Sequence, residues 1–306
     1  MTQTLDSLLA RAETVLARLE KLIPPAVQEP DWDAALAFRW RGLERPERLR
    51  PINHPKTLAL ADIRCIDRQK DLLIRNTRQF LRGLPANNVL LWGSRGTGKS
   101  SLVKALLNEY GSQGLRLVEV DRQHLAELPD ILEQLEGRPE KFILYCDDLS
   151  FEADDASYKR LKAALEGSLS GLTGNVLVYA TSNRRHLLPE YQGENQEARY
   201  YAGEHLQCEI HHGDTVEEKI SLSERFGLWL SFHPFTQDEY LDIVRYWLDK
   251  LGVPAEDWEA ARPLALRFAL QRGSRSGRVA WQFARDWAGG KALETAERGG
   301  IRGSGF

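Results

Sequence analysis

The stretch NVLLWGSRGTGKSS carries Gly93, Gly98, Lys99 and Ser100 in the spacing G-x-x-x-x-G-K-S. Glycines let a chain wrap closely enough round phosphate oxygens for successive backbone N–H groups to point inward. A helix that begins at the lysine aims its positive end at the same anion. Lys99 adds a mobile charge for the outer phosphates. The Ser100 hydroxyl is a hard oxygen ligand suited to Mg2+. The loop Gly93, Ser94, Arg95, Gly96, Thr97, Gly98, Lys99, Ser100 and Ser101 is therefore predicted to hold a nucleoside triphosphate.

Chemistry on a triphosphate needs an acid beside the metal. The segment KFILYCDDLSF supplies Asp147 and Asp148 directly after an apolar run. Asp147 is expected to hold Mg2+, usually through water. Asp148 is expected to orient or deprotonate the attacking water.

These groups require a scaffold. Short apolar runs at Val89–Trp92, Leu115–Val120, Phe142–Cys146, Val176–Tyr179 and Leu228–Phe232 alternate with amphipathic stretches. That is the pattern of a parallel sheet covered on both faces. From Thr236 onward the apolar runs stop, and amphipathic segments near 236–251, 255–271 and 277–296 predict a smaller helical domain. Residues 4–23 have a helical period that Pro24 and Pro25 end. In 31–55, Trp32, Phe38 and Trp40 are interleaved with Arg39, Arg41, Arg45, Arg48 and Arg50. Such mixtures can bind single-stranded nucleic acid. Glu44 and Glu47 dilute the charge, however, so a solvated helix face with docked aromatics is the preferred reading. The expected organisation is a helical N-terminal region (1–55), an α/β nucleotide-binding domain (56–235) and an α-helical domain (236–300).

The chain of 306 residues is 42% hydrophobic and has a formal net charge of −3. That balance argues against coating nucleic acid by bulk charge, though not against a local basic patch. Cys65, Cys146 and Cys208 are scattered and odd in number, so no disulfide framework is implied and a reducing, cytoplasmic compartment is expected. No apolar run approaches the ~18 residues of a membrane span. Asp6, Arg11 and Glu13 interrupt the apolar positions that a signal peptide would need. His205, Cys208, His211 and His212 fit no usual pair of metal-ligand pairs and read as a polar loop. The N-K-x-D motif of base-reading GTPases is missing.

The motifs GSRGTGKSS, ILYCDD, YATSN, LSERFGL and GSRSGRVAWQF occur in the order of the AAA+ ATPases, over about residues 60–290. The chain is also similar to a bacterial AAA+ group known as domain of unknown function 815, in IDRQKDLLIRNTRQFL, PANNVLLWGSRGTGKSSLVKALL, DDLSFE and SLSERFGL. The resemblance implies a P-loop AAA+ module of α/β class, with a parallel five-stranded sheet between helices and a small all-α lid. It implies ATP and Mg2+ as ligands, hydrolysis of ATP, and a homo-oligomer that acts on a protein or nucleic-acid client. Asn183 matches sensor 1, which reads the γ-phosphate or the attacking water. Arg225 matches the arginine finger, which reaches a neighbouring subunit's γ-phosphate. A structural pairing of Arg225 with Glu217, Glu218 or Glu224 is the alternative. Arg278 matches sensor 2 in the lid, with Arg275 as its local competitor. Ile66 resembles the segment that packs on adenine, and plain core packing suits it equally.

The resemblance has departures. AAA+ proteins usually place Asp-Glu where this chain has Asp147-Asp148. The shorter side chain holds its carboxylate roughly 1.5 Å back, one C–C bond. Misplacement on that scale costs about a hundredfold in rate. Either the water is drawn closer, or Glu152 takes part, or hydrolysis is slow and the protein acts as a nucleotide-gated switch. The segment VEVDRQHLAELPD lacks the aromatic–apolar–glycine trio of ring unfoldases, so processive unfolding is not expected. Nor is a DNA-binding helical domain expected after the lid.

Overall fold

The computed structural model describes residues 28–53, 55, 58–151, 174–184 and 223–301, together with Glu13, Leu161, Lys162, Leu165 and Leu187. The strands are β1 (Ala37–Trp40), β2 (Leu49–Pro51), β3 (Val89–Gly93), β4 (Leu115–Glu119), β5 (Lys141–Cys146), β6 (Val176–Ser182) and β7 (Leu228–Phe232). They form one sheet in the order β2-β1-β4-β5-β6-β3-β7. β2 runs antiparallel to β1, and every other pairing is parallel.

All the expected strands are present, and their alternation divides the core. Leu90, Phe142, Leu144, Val176 and Val178 join one apolar cluster, while Val89, Leu91, Ile143, Tyr145 and Tyr179 join the other. Successive side chains point to opposite faces of a strand. A strand buried on both sides therefore reads as an unbroken apolar run, as β6 does. The helices α1 (Asp67–Leu81) and α2 (Lys99–Tyr110) cover one face, and α3 (Leu128–Leu135) packs on the other.

The stretch expected to be a helical extension instead supplies β1 and β2, so the sheet has seven strands rather than five. Phe38 and Trp40 lie two apart, project to one face and are 0% and 1% exposed. Arg39 projects to the other face and donates to Glu119, its register partner on β4, at 2.6 Å. Four and three residues are too few to declare a period against the charged residues around them. Trp32 is buried as well. None of these aromatics is therefore available to stack on a base. The predicted helix over 4–23 lies outside the described residues, apart from helical Glu13, and so do Glu152 and the stretch from His205 to His212.

The segment VEVDRQHLAELPD folds into a 3-10 turn, Arg122–Glu127, and the start of α3. Trp40 Nε1 and the backbone N–H of Leu43 both donate to the Glu127 carboxylate, at 2.6 and 3.2 Å. Burial would raise that carboxyl, but the bonds from Trp40 and His124 hold it below the usual range. The β1–β2 hairpin thus braces this segment.

After β7 the chain forms α4 (Gln237–Lys250), α5 (Trp258–Gln271) and α6 (Gly277–Ile301), close to the expected helical segments. Thr236 and Glu239 cap α4 reciprocally: Thr236 N donates to Glu239 Oε2 at 2.8 Å and Glu239 N to Thr236 Oγ1 at 3.3 Å. Small residues Ala261, Ala265, Ala280 and Ala284 let the three helices approach closely around Tyr240 and Val244.

Candidate nucleotide site

The glycine loop begins where β3 ends. Gly93 has φ 126°, and a Cβ there would lie 2.0 Å from the carbonyl oxygen of Phe232 on β7. A side chain is excluded by the neighbouring strand. Gly96 has φ 75°, and its missing Cβ makes room for Ser276 Oγ, which would otherwise be 2.8 Å away. The loop therefore touches the lid directly. The Arg278 backbone N–H, in the first turn of α6, donates to Gly96 O at 3.3 Å.

Lys99 opens α2 and is buried, with Nζ donating to Gly93 O at 2.7 Å and Ser94 O at 2.8 Å. It also lies 3.4 Å from Asn183 Oδ1. Burial pulls Lys99 below the usual lysine range. The carboxylates of Asp148 and Asp147 oppose that pull, and Arg95 and Arg278 add to it.

Ser100 Oγ donates to Asp147 Oδ1 at 2.7 Å, and Thr181 Oγ1 donates to the same oxygen at 2.6 Å. Burial alone would raise the Asp147 carboxyl, but the bonds from Thr181 and Ser100 and the charge of Lys104 hold it below the usual range. It is thus kept ionised next to a hydroxyl. This donor set, a carboxylate and a serine oxygen, fits Mg2+. Asp148 has φ 52°, a left-handed conformation uncommon outside glycine. The Asp148 N–H donates to Thr181 Oγ1 at 2.9 Å, and its carboxylate accepts from Asn183 Nδ2. Thr181 therefore orders both acids. The signal for Thr181 in the sequence is its place two residues before Asn183, within YATSN, on the strand beside β5.

A cavity of roughly 590 Å³ has this constellation at one end, where Arg95 and Arg278 also line it. Arg278 lines it and Arg275, an exposed residue, does not. The rest of its lining is mostly apolar, with Leu58, Ile63, Phe235, Ile243, Trp247 and Trp281 beside Asp62 and Arg64. The rings of Trp247 and Trp281 lie 4.5 Å apart and tilted at 56°. Ile66 does not line the cavity. It is buried against Gly98, and Ile63, three residues earlier in the non-helical stretch before α1, takes the lining position. The segment carrying Ile63 is tied to the lid. Asp62 Oδ1 accepts from the Tyr246 hydroxyl at 2.6 Å and from Lys250. Burial would raise the Asp62 carboxyl, but its bonds to Lys250, Tyr246 and Ala59 N–H hold it below the usual range.

Arg225 is elsewhere. It precedes β7, at the N-terminal ends of the strands, whereas the glycine loop leaves the C-terminal ends. A strand of that length separates the two levels by about 13 Å. Arg225 lines a second cavity, of roughly 540 Å³, with Leu84, Pro85, Asn87, Glu224 and Gly227 among its neighbours.

The profile of a family described as "Protein of unknown function (DUF815)" matches residues 33–291. The chain belongs to this family. None of the curated proteins matches it. Among solved structures, a point mutant of Thermotoga maritima RuvB superposes with a TM-score of 0.50 at 18% identity, covering 74% of this chain and 64% of RuvB. The Aeropyrum pernix ORC1 protein, solved in complex with DNA, also gives 0.50 at 18% identity, covering 81% of this chain and 63% of ORC1. The chain spans less than two thirds of either. These likenesses establish the fold: this family member has the AAA+ architecture, a mostly parallel sheet followed by a helical C-terminal region. No helix among the described residues is long and apolar enough to cross a membrane.

Proposed function

We propose that the protein binds ATP with Mg2+ and hydrolyses it at junctions between copies of the chain, using the cycle to remodel or load a client. The observation that carries this reading is the convergence of Lys99, Ser100, Asp147, Asp148, Asn183 and Arg278 on one end of a cavity whose remaining lining is mostly apolar and aromatic. A charged end suits phosphates, and a flat apolar end suits a base.

The residues divide the work. The loop N–H groups and Lys99 hold the β- and γ-phosphates once Lys99 leaves its carbonyl partners. Ser100 and Asp147 hold Mg2+, which when bound neutralises charge on the phosphate oxygens. Asp148, steered by Thr181 and Asn183, orients water in line with the bond to be broken. The water oxygen bonds to the γ-phosphorus, the bond from that phosphorus to the β–γ bridging oxygen breaks, and ADP leaves. The water's proton passes to Asp148 or to phosphate. Arg278 approaches from the lid, and Arg225 of a second copy approaches the same phosphate. Charge stabilisation by such an arginine is worth about 10³–10⁵ in rate.

A second reading is favoured by the short Asp148 side chain: a nucleotide-gated loader in which slow hydrolysis only resets the state. Single-turnover kinetics separates the two, since retention of ATP over many minutes supports the loader. The shared site is tested by the ATPase rate against protein concentration for wild type, Lys99→Ala and Arg225→Ala. Expected is a rate per chain that rises with concentration and collapses in both variants. A rate independent of concentration and untouched by Arg225→Ala overturns the shared site.

A further inference from the structure

A buried polar cluster lies beneath the N-terminal half of the sheet, away from the cavity. Asn76 and Thr77 project into it from α1 and are 4% and 0% exposed. The Asn76 amide clasps the backbone of Asn87 twice. Its Oδ1 accepts from Asn87 N at 3.0 Å, and its Nδ2 donates to Asn87 O at 2.8 Å. The same Nδ2 donates to the Tyr179 hydroxyl at 3.0 Å, and the Thr77 hydroxyl lies 2.9 Å from that oxygen. Asn88 continues the seam. Its Oδ1 accepts from Val178 N at 2.8 Å and its carbonyl accepts from Leu228 N at 3.1 Å. Asn76, Thr77 and Tyr179 are buried while Asn87 is exposed and Asn88 half-buried, and paired buried groups favour one geometry because a slip leaves them unsatisfied.

What this geometry seats is the turn that carries Arg225. Gly227 lies so close to Asn87 that a Cβ at 227 would be 2.3 Å from Asn87 Oδ1 and 2.7 Å from its Cγ. On the other side, Phe226 is buried and its carbonyl accepts from Trp229 Nε1 at 2.7 Å. The backbone is therefore pinned immediately after Arg225, while Arg225 itself is exposed.

We propose that Asn76 and Gly227 are positioning residues for Arg225: Asn76 fixes the backbone of residue 87, and Gly227 lets the turn settle against the Asn87 side chain carried on it, so that Arg225 points away from its own sheet toward a second copy of the chain. This rests on the reading that Arg225 acts on a neighbour's nucleotide. The two claims are separable by mixing subunits. Lys99→Ala has a dead site but a sound turn, so it donates Arg225 to any sound site beside it. Gly227→Ala alone should lower kcat about tenfold to a hundredfold, the scale of a misplacement near 1 Å, with KM for ATP and Tm close to wild type. Adding excess Lys99→Ala should restore that rate. Trp229→Phe, which frees the Phe226 carbonyl, should give the same pattern at smaller amplitude, and serves where Gly227→Ala folds poorly. A wild-type rate in both variants overturns the proposal. So does a loss that Lys99→Ala fails to rescue while it rescues Arg225→Ala, because the defect is then in the variant's own site. If Lys99→Ala rescues neither Gly227→Ala nor Arg225→Ala, the shared site itself falls.

Discussion

The two ends of the main cavity are built by different means. The charged end, the one proposed for phosphates, comes from contiguous motifs at the C-terminal edges of adjacent strands: the loop after β3, the acids after β5 and Asn183 after β6. The apolar end comes from segments far apart in the chain, Leu58–Ile63 before α1 and Trp247 and Trp281 in the lid. Groups that hold charge must be placed closely and are set by short loops on a rigid sheet. Groups that hold a flat ring need only area, and side chains from two helices, α4 and α6, can supply it. The first end should therefore govern turnover, and the second affinity.

The largest test of that contrast is Lys99→Ala. Removing one preorganised donor to developing charge costs about 10²–10³ in kcat, so steady-state hydrolysis should fall to background. Asp148→Glu comes next and sharpens the phosphate end. The longer carboxylate should speed single-turnover cleavage by up to about a hundredfold if distance limits the step, and Asp148→Asn should slow it. An unchanged or lower rate in Asp148→Glu would show that Asp148 is already well placed. Trp281→Ala addresses the other end. Loss of a ring contact of about 1–3 kcal/mol should weaken ATP about tenfold or more in calorimetry, with kcat little changed and the affinity for pyrophosphate unaffected. A kcat loss with normal affinity would erase the division of labour. The smallest effect concerns pH. The Asp147 carboxyl is held below its usual range, so its contribution to stability is present above the unfolded pKa of about 3.9 and is lost as pH falls through the lower folded value. The Tm advantage of wild type over Asp147→Asn should hold from about pH 7 to 5 and shrink below about 4.

The same contrast decides what the sequence reveals. The residues of the charged end stand out in the sequence because they lie in short motifs whose spacing has a direct physical meaning. The buried strands were readable because a sheet covered on both faces leaves unbroken apolar runs. Trp247 and Trp281 gave no such signal, since an inward tryptophan on an amphipathic helix looks the same whether it meets core or cavity. Ile66 lies three residues after Ile63, which lines the cavity, and the non-helical bend at Cys65 (φ 60°) that separates their positions leaves no mark in hydrophobic spacing. β1 and β2 were missed because short strands among arginines, with Pro51 at an edge, carry too little pattern.

The β1–β2 hairpin bears on how the protein can be shortened. A cut at residue 56, the boundary that composition favours, would strip away the pair of strands lying against β4 and bare a row of unpaired backbone amides and carbonyls. Such a fragment would tend to cling to itself through that raw border, and its self-association would mimic assembly. A trimmed version meant to test the proposed self-assembly must begin ahead of Trp32.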